Sequence, residues 1–381
     1  MTQKARSPRT YRLAVACFFF LAGICFASWA SRIPDFKLQL QLSDAALGSI
    51  LFALPVGSMV SLPISGWLVA HWGSKKAMLL GSLAYPFVLW LIGYSSTIPQ
   101  LVALLFCFGL FGNLMNISVN TQAIGVEALY GRSVMASFHG VWSAAGFAGA
   151  AIGAFMVSRQ IIPFHHFGFI SIAMILLGLI MHRFTLGEDS RSSNQPRFAK
   201  PDSFLIKLGF IAFSCMACEG TMFDWSGVYF QKVVQVPQSL TTLGYAAFMC
   251  TMAGGRFLGD RLVGKLGSKK MLELSGLVIC VGLLLAVIFP NIVMATIGFL
   301  LVGMGVSSVV PLVYGQAGKQ QTMLPGVALA AVSTIGFLGF LLGPPLIGFI
   351  AEAFGLQWSF SLIAVLGLGT TLLAGFTKFI E

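Results

Sequence analysis

The sequence predicts an all-α membrane protein of twelve transmembrane helices in two pseudo-symmetric six-helix bundles, and three observations carry that expectation. Hydrophobic residues make up 57% of the 381 and charged residues only 9%, where a soluble domain is about a quarter charged. The apolar residues fall into runs of about 20, the length a helix needs to cross ~30 Å of hydrocarbon, with Gly and Pro scattered through them. A membrane β-barrel would show alternating strands of about ten residues instead. Finally, the Gly-Ser-Lys-Lys sign at 73–76 returns at 267–270, so the chain repeats itself at half its length.

The runs lie at 13–31, 45–70, 77–94, 100–125, 134–157, 167–184, 205–229, 239–259, 271–289, 293–315, 325–351 and 358–377. The first follows a basic start and also reads as a signal peptide; at about 19 residues, with eleven spans behind it, it is taken as an uncleaved helix. With the N-terminus inside, 19 of the 23 Lys and Arg fall on the cytoplasmic side, Arg256 among them, and only Arg32, Lys37, Arg159 and Lys232 fall outside. Positive loops stay in the cytoplasm, which places both termini there. The net charge of +11 is then a topology signal, whereas nucleic-acid binding would need charge gathered on one soluble face. All seven cysteines sit within spans; Cys215 and Cys218 lack the second pair or the His that zinc spacing needs, so they read as packing residues and neither metal nor cofactor is expected.

A shift of 194 aligns Gly73–Lys76 with Gly267–Lys270, Gly109 with Gly303, Asn113 with Ser307 and Gln122 with Gln316; a shift of 196 aligns Trp29 with Trp225. The polar stretch 187–203 reads as a cytoplasmic linker between bundles at 1–186 and 204–381. These halves, together with "VNTQAIGVEALYGRSVMASFHGVW", "GGRFLGDRL" and "GFLLGPPLIG", resemble the major facilitator superfamily along the whole chain, near bacterial inner-membrane proteins of the YbjJ type and the fucose-permease-like branch. The resemblance implies the major facilitator fold, residence in the bacterial inner (plasma) membrane, and transport by two bundles rocking around a midplane site. The family's loop between helices 2 and 3 usually reads Gly-x-x-x-Asp-Arg-x-Gly-Arg-Lys, and its Asp is taken to hold a cytoplasmic gate. Here the pattern starts at Gly66 and the acid is Ala70. Asp260 and Arg261 lie one turn ahead of the matching position in the second half, so they become gating candidates with Glu127, Arg132, Gly73 and Lys75. The plainer reading of the paired lysines is topological, as anchors at lipid headgroups near helix ends.

A charge inside the bilayer costs from about 3 kcal/mol upward, so an intramembrane acid normally faces a cavity or a partner. Two stand in the 205–229 run. Glu219, near its middle, is the better proton carrier; Asp224 lies nearer the outer end, about 140° around the helix, so the two are not a dyad. Each also reads as a structural pair with a neighbouring helix. Helix 1, where the family's sugar symporters often carry their acid, has none. Asn113, Asn116 and Asn120 share a helix face with Gln122 nearby. Their amides suit a hydroxyl-rich or zwitterionic solute and equally suit helix packing. Gln316 is the second-half counterpart. His139, followed by Trp142 and Ser143, is either a proton relay or a structural histidine held by the 127–132 segment. Trp29 and Trp225 read as cavity walls or as members of the interfacial aromatic belt.

The expected function is a secondary active transporter of a small polar, sugar-like solute, driven by protons; no Gly-x-x-x-x-Gly-Lys-Ser/Thr loop points to ATP. An exporter of amphipathic compounds is the alternative, favoured by 34 Phe and 16 Met. A non-transporting receptor is the alternative of another class and would usually add a soluble sensing domain. An enzyme would need clustered catalytic groups, which the spacing does not supply. The expected partners are the solute, protons and the lipid bilayer, without nucleic acid, for a chain acting as a monomer. Fusions after residue 381 test the orientation: green fluorescent protein should fluoresce and alkaline phosphatase should be inactive there, and the reverse pattern would put the C-terminus outside.

Overall fold

In a computed structural model, the described residues are 7–131, 134–187, 201–320 and 325–379, without the side chains of Ala136, Asp260, Pro325 and Gly326. The helices are α1 (Pro8–Ala30), α2 (Ile33–Gln39), α3 (Asp44–Leu51), α4 (Ala53–Trp72), α5 (Ser74–Ile92), α6 (Ile98–Tyr130), α7 (Met135–Ser158), α8 (Pro163–Met181), α9 (Ser203–Lys232), α10 (Leu243–Leu266), α11 (Ser268–Ile288), α12 (Ile292–Val306), α13 (Val309–Gly318), α14 (Pro325–Phe354) and α15 (Leu356–Gly375). No strand occurs among the described residues. Most of the expected linker, along with Arg132, lies outside them.

Among the described residues, eleven helical stretches are long and apolar enough to cross a membrane. The twelfth expected run is α10, which is diluted by Arg256, Asp260, Arg261 and Lys265. Side-chain caps set several helix starts: Ser7, Ser43, Asp202 and Asn291 each accept the backbone N–H three residues on, answering donors that hydrocarbon cannot. Two expected runs, 45–70 and 293–315, each arrive as two helices, broken at Phe52 and at Ser307–Ser308. Pro55 and Pro311 supply the reason, since each lacks the N–H that would bond the carbonyl four residues back, at Leu51 and Ser307. Pro63, Pro86, Pro344 and Pro345 are instead accommodated inside helices.

The chain forms two compact units, one of α1, α2 and α4–α8 and the other of α3 and α9–α15. In the first, α4 and α6 touch through glycine: a Cβ on Gly109 would run into the Leu54 carbonyl and one on Gly57 into the Phe106 carbonyl. The Ser58 hydroxyl donates to the Gly109 carbonyl at 3.1 Å. The second unit repeats this contact between α10 and α12. Gly303 rests on the Phe248 carbonyl, and the Thr251 hydroxyl donates to the Leu300 carbonyl at 2.6 Å. Residues 54, 57, 106 and 109 map onto 248, 251, 300 and 303 by the same shift of 194, so the repeat seen in sequence is a repeat of packing. The glycine faces of α7 and α14 likewise seat other helices closely, Gly149 against Ala27 of α1 and Gly339 against the Phe213 carbonyl of α9.

Gly109→Val and Gly303→Val should each destabilise the purified protein by about 1–3 kcal/mol, the usual cost of overpacking. Gly254→Ala, where a Cβ meets nothing within 4 Å, should leave the thermal midpoint unchanged. Equal melting of all three variants would contradict the packing repeat.

Candidate functional site

The second unit builds its site on α9. Its 30 residues are capped by Asp202 and mostly buried, because an apolar helix enclosed by neighbours needs no polar face. Glu219 sits near its middle, with its side chain 7% exposed, and Arg256 of α10 brings Nη2 to 3.8 Å from Oε1. The Cys215 thiol, one turn earlier, lies 4.0 Å from the same oxygen. Tyr314 of α13 is hydrogen-bonded to Ser333 of α14 and stands within electrostatic reach of Glu219. The ion pair is long, so protonating the carboxyl would cost no tight bidentate bond. Asp224 stands within electrostatic reach of Tyr245 near the start of α10 and makes no ion pair among the described residues. The Tyr245 hydroxyl, the Trp225 indole N–H, the Ser226 hydroxyl and the Thr242 hydroxyl are all buried without a hydrogen-bond partner. Such groups cost free energy unless something bonds them.

Arg256, which the sequence counts among the cytoplasmic charges, brings its guanidinium to Glu219 from eleven residues before Gly267, about 16 Å along a helix.

The same unit holds α3, which is flanked in the chain by α2 and α4 of the other unit. Glu352 of α14 accepts from the backbone N–H of Asp44 at 2.9 Å and of Ala45 at 3.3 Å, a carboxylate at the positive end of a helix. Lys232, at the end of α9, bonds Asp44 Oδ2 at 2.7 Å. Gly48 meets Gly348 so closely that a Cβ on Gly48 would lie 3.0 Å from the Gly348 Cα. Sequence reading passed over this clamp, since Asp44 and Lys232 are 188 positions apart.

In the first unit, the amide face of α6 divides. Asn113 buries an Nδ2 without a hydrogen-bond partner. Asn116 is exposed, and Asn120 donates to both its carbonyl and its side-chain oxygen at 2.8 Å. Gln122 is spent structurally: it donates to Ser74 Oγ at 2.7 Å and to the Leu186 carbonyl at 3.2 Å, and accepts from the Leu186 N–H at 2.9 Å. Glu127 accepts the N–H groups of Val134 and Met135 at 2.8 and 3.1 Å, at the start of α7. His139 is exposed and edge-on to Phe19 at 5.3 Å; Trp142 packs near Phe26.

Trp29 and Trp225 are both buried, at 1% and 0% exposure, while Trp67, Trp72 and Trp358 are the tryptophans that face outward. Trp29 packs on Phe36, and its indole N–H has no hydrogen-bond partner. Arg32 pairs with Asp35 at 2.6 Å and donates to the Ile161 carbonyl at 2.6 Å. Close by, His166 of α8 is fully buried with neither ring nitrogen hydrogen-bonded; sequence reading had not singled it out.

Of the gating candidates, Gly73 takes the same turn as its repeat counterpart Gly267, φ 81° ψ 152° and φ 76° ψ 159°, each joining two helices. Positive φ is what makes glycine necessary there. Lys75 is half-buried beside this turn and Arg261 is exposed on α10. The Asp260 side chain and Arg132 lie outside the described residues. Gln316 is buried.

The family model described as Major Facilitator Superfamily matches residues 13–320. An uncharacterized MFS-type transporter of Yersinia pestis is 34% identical over 348 residues, covering 91% of each chain. Membrane protein MosC of Rhizobium meliloti is 30% identical over 93% of this chain and 87% of its own. Among solved structures, an inward-facing, unoccupied bacterial homolog of the human lysosomal transporter Spinster superposes with TM-score 0.76 at 15% identity, over 97% of both chains. A D-xylose-proton symporter does so with TM-score 0.75 at 12% identity, over 97% of this chain and 98% of that one. At such identities these two likenesses bear on the fold alone.

The α3 clamp is checked by labelling. A maleimide should reach Leu47→Cys slowly, because Leu47 is 1% exposed. Adding Gly348→Leu should speed labelling about tenfold, the effect of ~1.4 kcal/mol on an opening equilibrium. Equal rates would mean α3 does not rest on α14.

Proposed function

Because this chain belongs to the major facilitator superfamily, a family of membrane transporters with the twelve-helix major facilitator fold, we propose that it carries a small polar solute across the bacterial inner membrane by alternating access, coupled to protons through Glu219. The observation that carries this reading is the buried carboxyl of Glu219 facing Arg256 across 3.8 Å. A carboxyl at that depth holds a proton on one side of the cycle and yields it on the other, and the arginine supplies the counter-charge while it is ionised. Asp224, with its own surroundings, is the second candidate, and His139 the third.

Four buried donors without partners, on Trp225, Ser226, Thr242 and Tyr245, and the Asn113 amide in the first unit favour a hydroxyl-bearing solute, whose oxygens would accept from them. The clamp that Asp44, Lys232 and Glu352 form on α3 fits a gate that releases when access changes, as alternation requires.

A second reading, export of amphipathic compounds, has its own support. Phe223 of α9 stacks on Phe340 of α14 at 6.3 Å, with Phe337 alongside at 6.5 Å from Phe340, an apolar aromatic surface. The Enterobactin exporter EntS of Salmonella typhimurium is 26% identical over 181 residues, less than half of either chain.

The test is transport in proteoliposomes with an imposed pH gradient, against labelled sugars, polyols, nucleosides and a panel of lipophilic dyes. Gradient-driven accumulation of a polar solute should fall at least about tenfold in Glu219→Gln, a loss of ~1.4 kcal/mol of coupling, while equilibrium exchange of the same solute persists. Unaltered gradient-driven accumulation in that variant would overturn the coupling assignment, and movement of dyes alone would favour the exporter.

A further inference from the structure

The two Gly-Ser-Lys-Lys corners share a backbone but not an environment. In the first unit, Ser74 is wholly buried under Gln122, which also binds the Leu186 backbone through both its N–H and its carbonyl. That corner is filled by the chain itself. In the second unit, Ser268 is half-buried and its neighbours Lys269 and Lys270 are exposed. In front of them opens a cleft of about 1050 Å³, to which Lys269, Lys270, Lys319 and Lys378 all contribute. Among the described residues the acid on its wall is Glu273, which reaches Lys269 only at 4.0 Å, with both side chains substantially exposed. Four lysines against that glutamate make the described wall positive, and α11 starts at it with no side-chain cap on its first N–H groups.

The rest of the wall mixes Ser268, Gln316 and Thr377 with the apolar side chains of Val263, Leu266, Phe376 and Phe379. Phe376, just past α15, is 79% exposed, and Leu266, at the end of α10, is 39% exposed. The cleft therefore offers ammonium groups beside bare hydrocarbon-facing surface at the ends of α11 and α15, two helices apolar enough to span the membrane. Lysine binds phosphate as a point charge, basic pockets at the ends of transmembrane helices suit anionic headgroups, and each lysine near such a surface contributes roughly 1 kcal/mol.

We propose that this cleft binds the phosphate of an anionic phospholipid headgroup, with the acyl chains lying along Leu266 and Phe376. In the first corner Gln122 bonds Ser74 and the Leu186 backbone instead, so the repeated motif has two uses in one chain. A soluble phosphate ester would share the charge chemistry but not the apolar wall.

Native mass spectrometry of the delipidated protein, titrated with dioctanoyl phosphatidylglycerol, dioctanoyl phosphatidylcholine or glycerol 3-phosphate, tests this. Wild type should retain the phosphatidylglycerol in preference to the other two. Lys269→Gln with Lys270→Gln, Lys319→Gln and Lys378→Gln should weaken its binding at least about tenfold. Lys75→Gln with Lys76→Gln should bind as wild type does. The single Lys378→Glu, at an exposed site past α15, should weaken binding in the same direction without threatening the fold. Undiminished phosphatidylglycerol binding by the four-lysine variant and by Lys378→Glu would overturn the proposal, as would equal loss in the Lys75/Lys76 variant. Binding of glycerol 3-phosphate as strong as that of the lipid would overturn the lipid assignment.

Discussion

A charge held in hydrocarbon has to be answered from within the protein, and the pairing of Glu219 with Arg256 is one place where this structure meets that demand. The bilayer offers neither water nor counterion, so the acid on α9 fixes the identity of its neighbour on α10. The same scarcity explains the character of α10, the least apolar of the membrane-length helices: Arg256 sits on it to meet the acid, at the expense of the uniform hydrophobicity seen in α11 or α12. The separation of 3.8 Å is also informative. A tight bidentate pair would lock both charges, whereas a longer one holds each less firmly, as the proposed coupling through Glu219 requires.

The rest of the architecture follows from a second scarcity, of driving force for helix association where lipid is as apolar as the helix surface. Close backbone approach replaces the hydrophobic effect, and glycine makes it possible. The pairs Gly57/Gly109 and Thr251/Gly303 do this at matching places in the two units, which is why the internal repeat survives in packing even where side chains have diverged. The Gly-Ser-Lys-Lys corners diverged in the opposite sense: their φ values of 81° and 76° are retained, while Gln122 fills one and lysines line an opening at the other.

Fold class was legible because hydrophobic run length and the 194-residue repeat are properties of the whole chain. The breaks at Phe52 and Ser307 were less so, although Pro55 and Pro311 were in plain view, because Pro63 and Pro86 show that proline position alone does not decide whether a helix breaks. Glu219 could be picked out as one of two acids in an apolar run; that Arg256 answers it is seen only in the fold, because the two lie on separate helices. Gln122 shows a further limit. Its amide says that it will make hydrogen bonds, and only the fold says that Ser74 and Leu186 receive them. The grouping of α3 with α9–α15 draws on Asp44, Lys232 and Glu352, charges that no local pattern connects, and on the close approach of Gly48 to Gly348.

The claim on which the functional account turns is that protons and solute move together. With wild-type protein in liposomes containing a pH-sensitive dye and no initial pH gradient, an imposed gradient of a transported sugar or polyol should drive a pH change inside. The account predicts a proton flux that tracks the solute and disappears when solute is omitted; solute entry with no accompanying proton flux would contradict it.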